Sequence, residues 1–257
     1  MRVSFCFHSL EGFIFLPYNY NEFIQALIYE HLPENKSRKL HNLGFVYEKR
    51  RFKLFTFSRI QGRRLRRKSH NGIYFQSPIT IIISSPVEWI LHDFAEQMLR
   101  SAEIHLGRET LYMESIEVFQ PRQFDESVKI RLLSPMTIYS TLTKPDGKKL
   151  THYYTPYDKE FSGLLSKNLQ KKFALVHKRI SSGMINITPL FTGNRERIVK
   201  FKGTIIKAWD GQYLLEGDPE LIQISYETGL GSKNSQGFGM WEEVEDFRRK
   251  GAEVAEG

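Results

Sequence analysis

The chain has 257 residues, 40% apolar and 13% aromatic, enough for ordinary folded cores and too apolar for a disordered chain. No apolar run approaches the ~18 residues of a membrane-spanning helix, MRVSFCFHSL lacks the pattern of a signal peptide, and the single Cys6 permits neither an intrachain disulfide nor a cysteine-based zinc site, so a soluble, cytoplasmic protein is expected. The net charge of +8 is local: residues 36–68 carry 13 Lys and Arg against one acid, Glu48, making that segment +12 and the remainder −4.

Residues 2–7 alternate, with Val3, Phe5 and Phe7 on one face, as a half-buried strand does. Pro17, Asn19 and Asn21 punctuate a turn before a helix over 22–32, whose Phe23, Ile24, Leu27 and Ile28 share one face. Residues 36–42 form a basic loop or a short helix. Residues 52–60 and 72–75 read as strands flanking the loop 61–72, QGRRLRRKSHNG, and 79–84 continues the second arm. Pro86 opens a helix with the stripe Ile90, Leu91, Phe94, Ala95 and Met98, and 111–119 is a closing strand.

The second half repeats that order. Residues 128–133 form a strand and 157–176 a helix, with Phe161, Leu164, Leu165, Leu169 and Phe173 at three- and four-residue steps. A strand follows at 185–191, then 198–209 and 212–216 as a hairpin about Asp210-Gly211. Pro219 opens a helix to 227, and 238–244 closes the unit. Two β-α-β-β-α-β units predict an α+β fold of two tandem ferredoxin-like domains. The boundary falls at 121–126, giving an N-terminal domain over 1–122, a C-terminal domain over 123–246 and a mobile tail over 247–257.

A concentrated strip of Lys and Arg fits a polyanion, either nucleic acid or an acidic membrane surface, better than a merely solvated loop. No amphipathic helix with a basic face supports the membrane. The loop rich in glycine after the last helix runs helix, loop, strand, the reverse of a dinucleotide fingerprint. It is either a glycine C-cap followed by a turn or a place where backbone N–H groups approach phosphate. We favour nucleic-acid contact there, through Gly229, Gly231, Lys233, Asn234, Ser235 and Gly237. The loop at Arg63, Arg64, Arg66, Arg67 and Lys68 is suited to gripping a phosphate backbone.

Three stretches, LPYNYNEFIQALIY (16–29), KLFTFS (53–58) and GLGSKNSQGFGMW (229–241), together resemble the CRISPR-associated repeat-processing endoribonucleases. That family belongs to the repeat-associated RNA-binding superfamily, built from tandem ferredoxin-like domains, and the resemblance covers residues 1–245. It implies metal-independent cutting within each repeat of a long CRISPR transcript, with no cofactor. The partners implied are CRISPR repeat RNA, as precursor and as processed guide, and a CRISPR effector complex. Tyr29, His41 and Lys53 match the positions of family members that use a Tyr-His-Lys set.

The residue chemistry can be weighed beside that resemblance. Tyr29 lies opposite its helix's apolar face on the wheel, and with a phenol pKa near 10 it orients the attacking hydroxyl unless a neighbouring cation activates it. His41 has Lys36, Arg38 and Lys39 beside it to bring a phosphate close, and imidazole suits proton transfer at neutral pH. His70, beside Arg66–Lys68, is its rival on the same argument. Lys53 alone would be a polar tooth in a strand; as a site residue it stabilises phosphate charge. No pair of histidines has metal-ligand spacing backed by a carboxylate. The alternative function is a non-catalytic RNA-binding subunit of the same superfamily.

Overall fold

The computed structural model describes residues 1–67, 69–143, 145–191 and 195–244. The expected tail over 247–257 and Lys68 lie outside the described residues.

In chain order the first half comprises β1 (Arg2–His8), β2 (Phe13–Pro17), α1 (Asn21–Glu30), α2 (Glu34–Asn42), β3 (Phe45–Tyr47), β4 (Arg50–Phe52), β5 (Thr56–Phe57), β6 (Gly72–Gln76), β7 (Ile79–Ser84), α3 (Glu88–Arg100), β8 (Ile104–Leu106) and β9 (Glu109–Val118). The main sheet runs β5-β7-β1-β9-β8, every neighbour antiparallel. Alternation along β1 turns Val3, Phe5 and Phe7 inward, where Ile24, Leu27 and Ile28 of α1 and Ile90, Leu91, Phe94 and Met98 of α3 cover them. Phe5 meets Phe94 edge-on at 4.9 Å.

The second half comprises β10 (Ser127–Leu132), β11 (Ile138–Thr143), β12 (Lys149–Tyr154), α4 (Phe161–His177), β13 (Ile185–Pro189), β14 (Glu196–Phe201), β15 (Thr204–Trp209), β16 (Gln212–Gly217), α5 (Pro219–Thr228) and β17 (Trp241–Glu243). Its sheet runs β13-β16-β10-β17. Apart from the inserted hairpins, each half places its four main strands in the order fourth, first, third, second, with two helices on one face. That is the ferredoxin-like arrangement, and each half buries its own apolar cluster.

Four details differ from the sequence expectations. Residues 52–60 are not one strand: Leu54 takes a positive φ of 56°, so the chain breaks there and only Thr56–Phe57 joins the sheet. Residues 72–76 pair instead with β2, which ends at Pro17 in a two-stranded ribbon where a missing N–H is tolerated. The hairpin about Asp210-Gly211 does not form. β15 turns back on β14 at Lys202-Gly203, whose φ values are both positive, while β16 joins β10 and β13 in the main sheet. The hairpin β11–β12 was not expected, although Pro145-Asp146-Gly147 at its turn is a good turn sequence; the 36–42 segment, expected as a loop or a short helix, is the helix α2.

The halves are fastened by buried polar contacts. Arg2 is 4% exposed, donates to the Trp241 and Tyr226 carbonyls at 2.9 and 2.8 Å, and stacks 3.5 Å above the Tyr226 ring. Burial pushes its pKa down to about 10. On the other side Thr56 Oγ1 donates to the Phe238 carbonyl at 3.0 Å, and the Arg59 guanidinium pairs with Asp210 at 3.1 Å.

Candidate active site

Tyr29 on α1, His41 on α2 and Lys53 just after β4 are gathered by the fold. α1 carries Tyr29 in its last turn, and α2 folds back on it through Ser37, whose hydroxyl donates to the Tyr29 carbonyl at 2.7 Å. The Tyr29 ring then meets the His41 ring edge-on at 5.3 Å and Phe55 at 6.0 Å. The helical wheel led us to expect an exposed tyrosine. It is half-buried because α2 and Phe55 cover it, and that desolvation raises its pKa above the ordinary phenol range. The hydroxyl is therefore a protonated donor at neutral pH.

His41 is exposed at the end of α2, with Nδ1 2.9 Å from the Asn42 side-chain oxygen. Lys53 returns to it by way of the hairpin β3–β4. Its Nζ donates to the His41 carbonyl at 2.6 Å and to the Leu40 carbonyl, satisfying acceptors that a helix end leaves open. Burial, and secondarily Arg51, lower the Lys53 pKa. A cavity of about 410 Å³ opens beside Tyr29 and His41. His70 stands elsewhere: Asn71 accepts from the Tyr18 amide, before the start of α1, so about 15 Å of helix separates that loop from Tyr29.

The basic strip is not one surface. Lys36 is paired with Asp93 at 2.6 Å and Arg38 with Glu34, while Lys39 is exposed. Arg63 donates to Gln76, and the Arg67 guanidinium lies 4.5 Å over the Phe13 ring. Arg64 and Arg66 are exposed beside them, on the β2–β6 ribbon side. Between the halves lies a larger cleft of about 650 Å³, with Arg50, Arg51 and Lys53 on one wall and Tyr139, Lys233 and Ser235 on the other. Lys233 sits 5.2 Å over the Tyr139 ring, and burial lowers its pKa. Arg50, Arg51 and Tyr139 were not singled out in the sequence. The signal for the arginines was their place in KRRF, just ahead of KLFTFS.

The glycine loop has a packing reason for its glycines. Gly229, Gly231 and Gly237 are buried and take φ of 83°, 70° and 82°. A Cβ on Gly231 would stand 2.5 Å from the Thr137 carbonyl, and one on Gly237 2.4 Å from the Phe57 ring. The Asn234 side chain is engaged inside the loop, and Ser232, Lys233, Ser235 and Gln236 line the cleft beside it. Among the described residues no group of three or more His, Cys, Asp or Glu is arranged to hold a metal ion. No helix among them is long and apolar enough to cross a membrane.

Comparison with known proteins adds family information. Residues 15–117 match the profile for CRISPR-associated protein Cas6, N-terminal, and residues 119–243 that for CRISPR associated protein Cas6, C-terminal. The chain is 27% identical over 252 residues to CRISPR-associated endoribonuclease Cas6 1 of Methanocaldococcus jannaschii, covering 93% of this chain and 92% of the relative. It is 27% identical over 229 residues to CRISPR-associated endoribonuclease Cas6 of Pyrococcus furiosus, covering 88% and 82%. A solved structure of a CRISPR associated protein Cas6 superposes with a TM-score of 0.78 at 27% identity, over 95% of this chain and 99% of that one.

Proposed function

The chain belongs to the Cas6 family of CRISPR-associated proteins, and from that premise we propose that it is an endoribonuclease cutting CRISPR repeat RNA into guide RNAs. The observation that carries the reading is the grouping of Tyr29, His41 and Lys53 through one ring contact and one main-chain hydrogen bond. Those side chains suit a cut in which the substrate supplies its own nucleophile. The 2′-hydroxyl gives its proton to a solvent water and attacks the adjacent phosphorus, the bond to the 5′ oxygen breaks, and that oxygen takes a proton from His41. The products carry a 2′,3′-cyclic phosphate and a 5′-hydroxyl.

His41 gives the proton to the leaving oxygen; a positioned acid or base contributes about 10²–10⁴ in rate. Tyr29, held protonated, orients the attacking hydroxyl as a hydrogen-bond partner. Lys53 opposes the charge on the pentacoordinate phosphorus, where a fixed cation acts without being consumed. The RNA backbone lies in the inter-half cleft against Arg50, Arg51 and Lys233, with Lys39, Arg63, Arg64, Arg66 and Arg67 available to its flanks. The processed guide then passes to a CRISPR effector complex.

The test is to incubate the protein with end-labelled repeat RNA from its own host, with and without excess EDTA. Cleavage within the repeat to cyclic-phosphate ends, unchanged by EDTA, is expected. Loss of cutting in EDTA would overturn the mechanism, and tight binding without a cut would favour the non-catalytic subunit.

A further inference from the structure

Lys172 lies in the interior of α4 and is 2% exposed. Burial holds its ammonium well below the ordinary lysine range. A buried ammonium is costly unless each N–H meets an acceptor. Here three do: Nζ donates to the Gly229 carbonyl at 2.7 Å, the Gly231 carbonyl at 2.9 Å and the Asn234 side-chain oxygen at 2.7 Å. All three acceptors belong to the glycine loop. The candidate chemistry makes no use of this lysine, yet it reaches the inner wall of the cleft.

The constraint travels outward from there. Asn234, its oxygen fixed by Lys172, donates through Nδ2 to the Leu230 and Phe238 carbonyls at 3.0 and 2.9 Å. The short turn Asn234–Gln236 that follows presents the Ser235 carbonyl to Gln25 at 2.7 Å and the Gln236 carbonyl to Asn21 at 2.9 Å. Asn21 and Gln25 are on α1, whose last turn holds Tyr29. Lys233 stands between the two sets of contacts, facing Tyr139. A methionine at 172 would fill the lysine stem's volume but leave two carbonyls and an amide oxygen without their donor.

We propose that Lys172 is a positioning residue: through the glycine loop it aims Lys233 at the RNA cleft and keeps α1, with Tyr29, in register with the second half. The RNA consequence rests on the endoribonuclease reading above; the mechanical one does not. Two measurements on Lys172→Met separate them. In the free protein, amide hydrogen exchange should rise roughly tenfold or more over 229–239 and 21–30, while β10 and β16 stay protected. For RNA, the affinity loss from Lys233→Ala should largely vanish in the Lys172→Met background, because the cation is no longer aimed.

Unchanged exchange over the loop would overturn the proposal, and so would loosening of β10 and β16 together with it, which marks a plain core lesion. Fully additive RNA effects would overturn the aiming of Lys233. If Lys233→Ala alone leaves affinity unchanged, the RNA role of the loop fails while the exchange result still decides Lys172 itself. Should Lys172→Met not fold, Asn234→Ala removes one of the three acceptors and must raise exchange over the same two segments; if it does not, the proposal is wrong.

Discussion

His41 is held by its main chain, and its exposed ring meets the Tyr29 ring and the Asn42 side-chain oxygen. Lys53 and the end of α2 fix where the imidazole begins, while the side chain itself is exposed. Removing the ring should therefore disturb chemistry far more than binding: His41→Ala should slow single-turnover cleavage by about 10²–10⁴ with little change in RNA affinity. His70→Ala, equally exposed but a helix length away, should leave the rate alone. The reverse pattern would move the site to the 61–72 loop. Lys53 has a pH signature. Its charge must be present to oppose the phosphate, and burial lowers its pKa. The alkaline loss of rate should thus set in at lower pH than an ordinary lysine gives, and Lys53→Arg should push that loss upward. Rates of the two enzymes across the alkaline range check this; coincident profiles would separate Lys53 from the chemistry. Tyr29, with its pKa raised, contributes no loss in that range.

At the scale of elements, the glycine loop is a packed joint between the halves. Gly231→Ala combines a left-handed conformation, which costs ~1–2 kcal/mol for a residue with a Cβ, with a contact of 2.5 Å to a main-chain oxygen. Gly12 also has a positive φ, yet a Cβ there meets nothing within 4 Å. Urea unfolding should show a clearly larger loss for Gly231→Ala than for Gly12→Ala, which should stay near ~1 kcal/mol. Equal losses would mean that the loop yields to the added methyl. The main strands and helices were legible because their alternation and three-four spacing report which face is buried. The β2–β6 ribbon was not: β2 finds β6 across 55 residues, and no local pattern states a partner so distant. Asp210-Gly211 was misread because a good turn dipeptide can also change sheets, and Gly211 takes φ 137°, outside the paired-turn region. Tyr29, His41 and Lys53 were chosen chiefly on the family resemblance, because no spacing in the chain announces that α1, α2 and the end of β4 meet. Arg50 and Arg51 look like any other members of the strip until β3–β4 turns them into the cleft.

At the scale of the whole molecule, Arg50 and Arg51 bring part of the basic strip to the cleft between the halves, so binding and stability can be altered separately along that seam. Arg2 lies on the seam away from the cleft, with two carbonyls of the second half depending on it. Arg2→Ala should destabilise the protein by about 3 kcal/mol or more, since it takes a buried, charged donor from both carbonyls and leaves Ser84 Oγ, at 3.3 Å, on that of Tyr226, while the folded fraction still binds RNA. Arg50→Ala with Arg51→Ala should do the opposite, leaving unfolding nearly unchanged. If each neutralises a phosphate, the log–log dependence of RNA affinity on salt should flatten by about 0.7 per residue lost. An unchanged slope would put the RNA on another face.

All of this depends on the substrate carrying its own nucleophile to the Tyr29–His41–Lys53 group. The direct measurement is a repeat RNA with one 2′-deoxy nucleotide just 5′ of the scissile phosphate, compared with the all-ribose repeat for both affinity and single-turnover cleavage. Unchanged affinity and no cut at that position is the result predicted. Cleavage of the deoxy substrate at a comparable rate would contradict it.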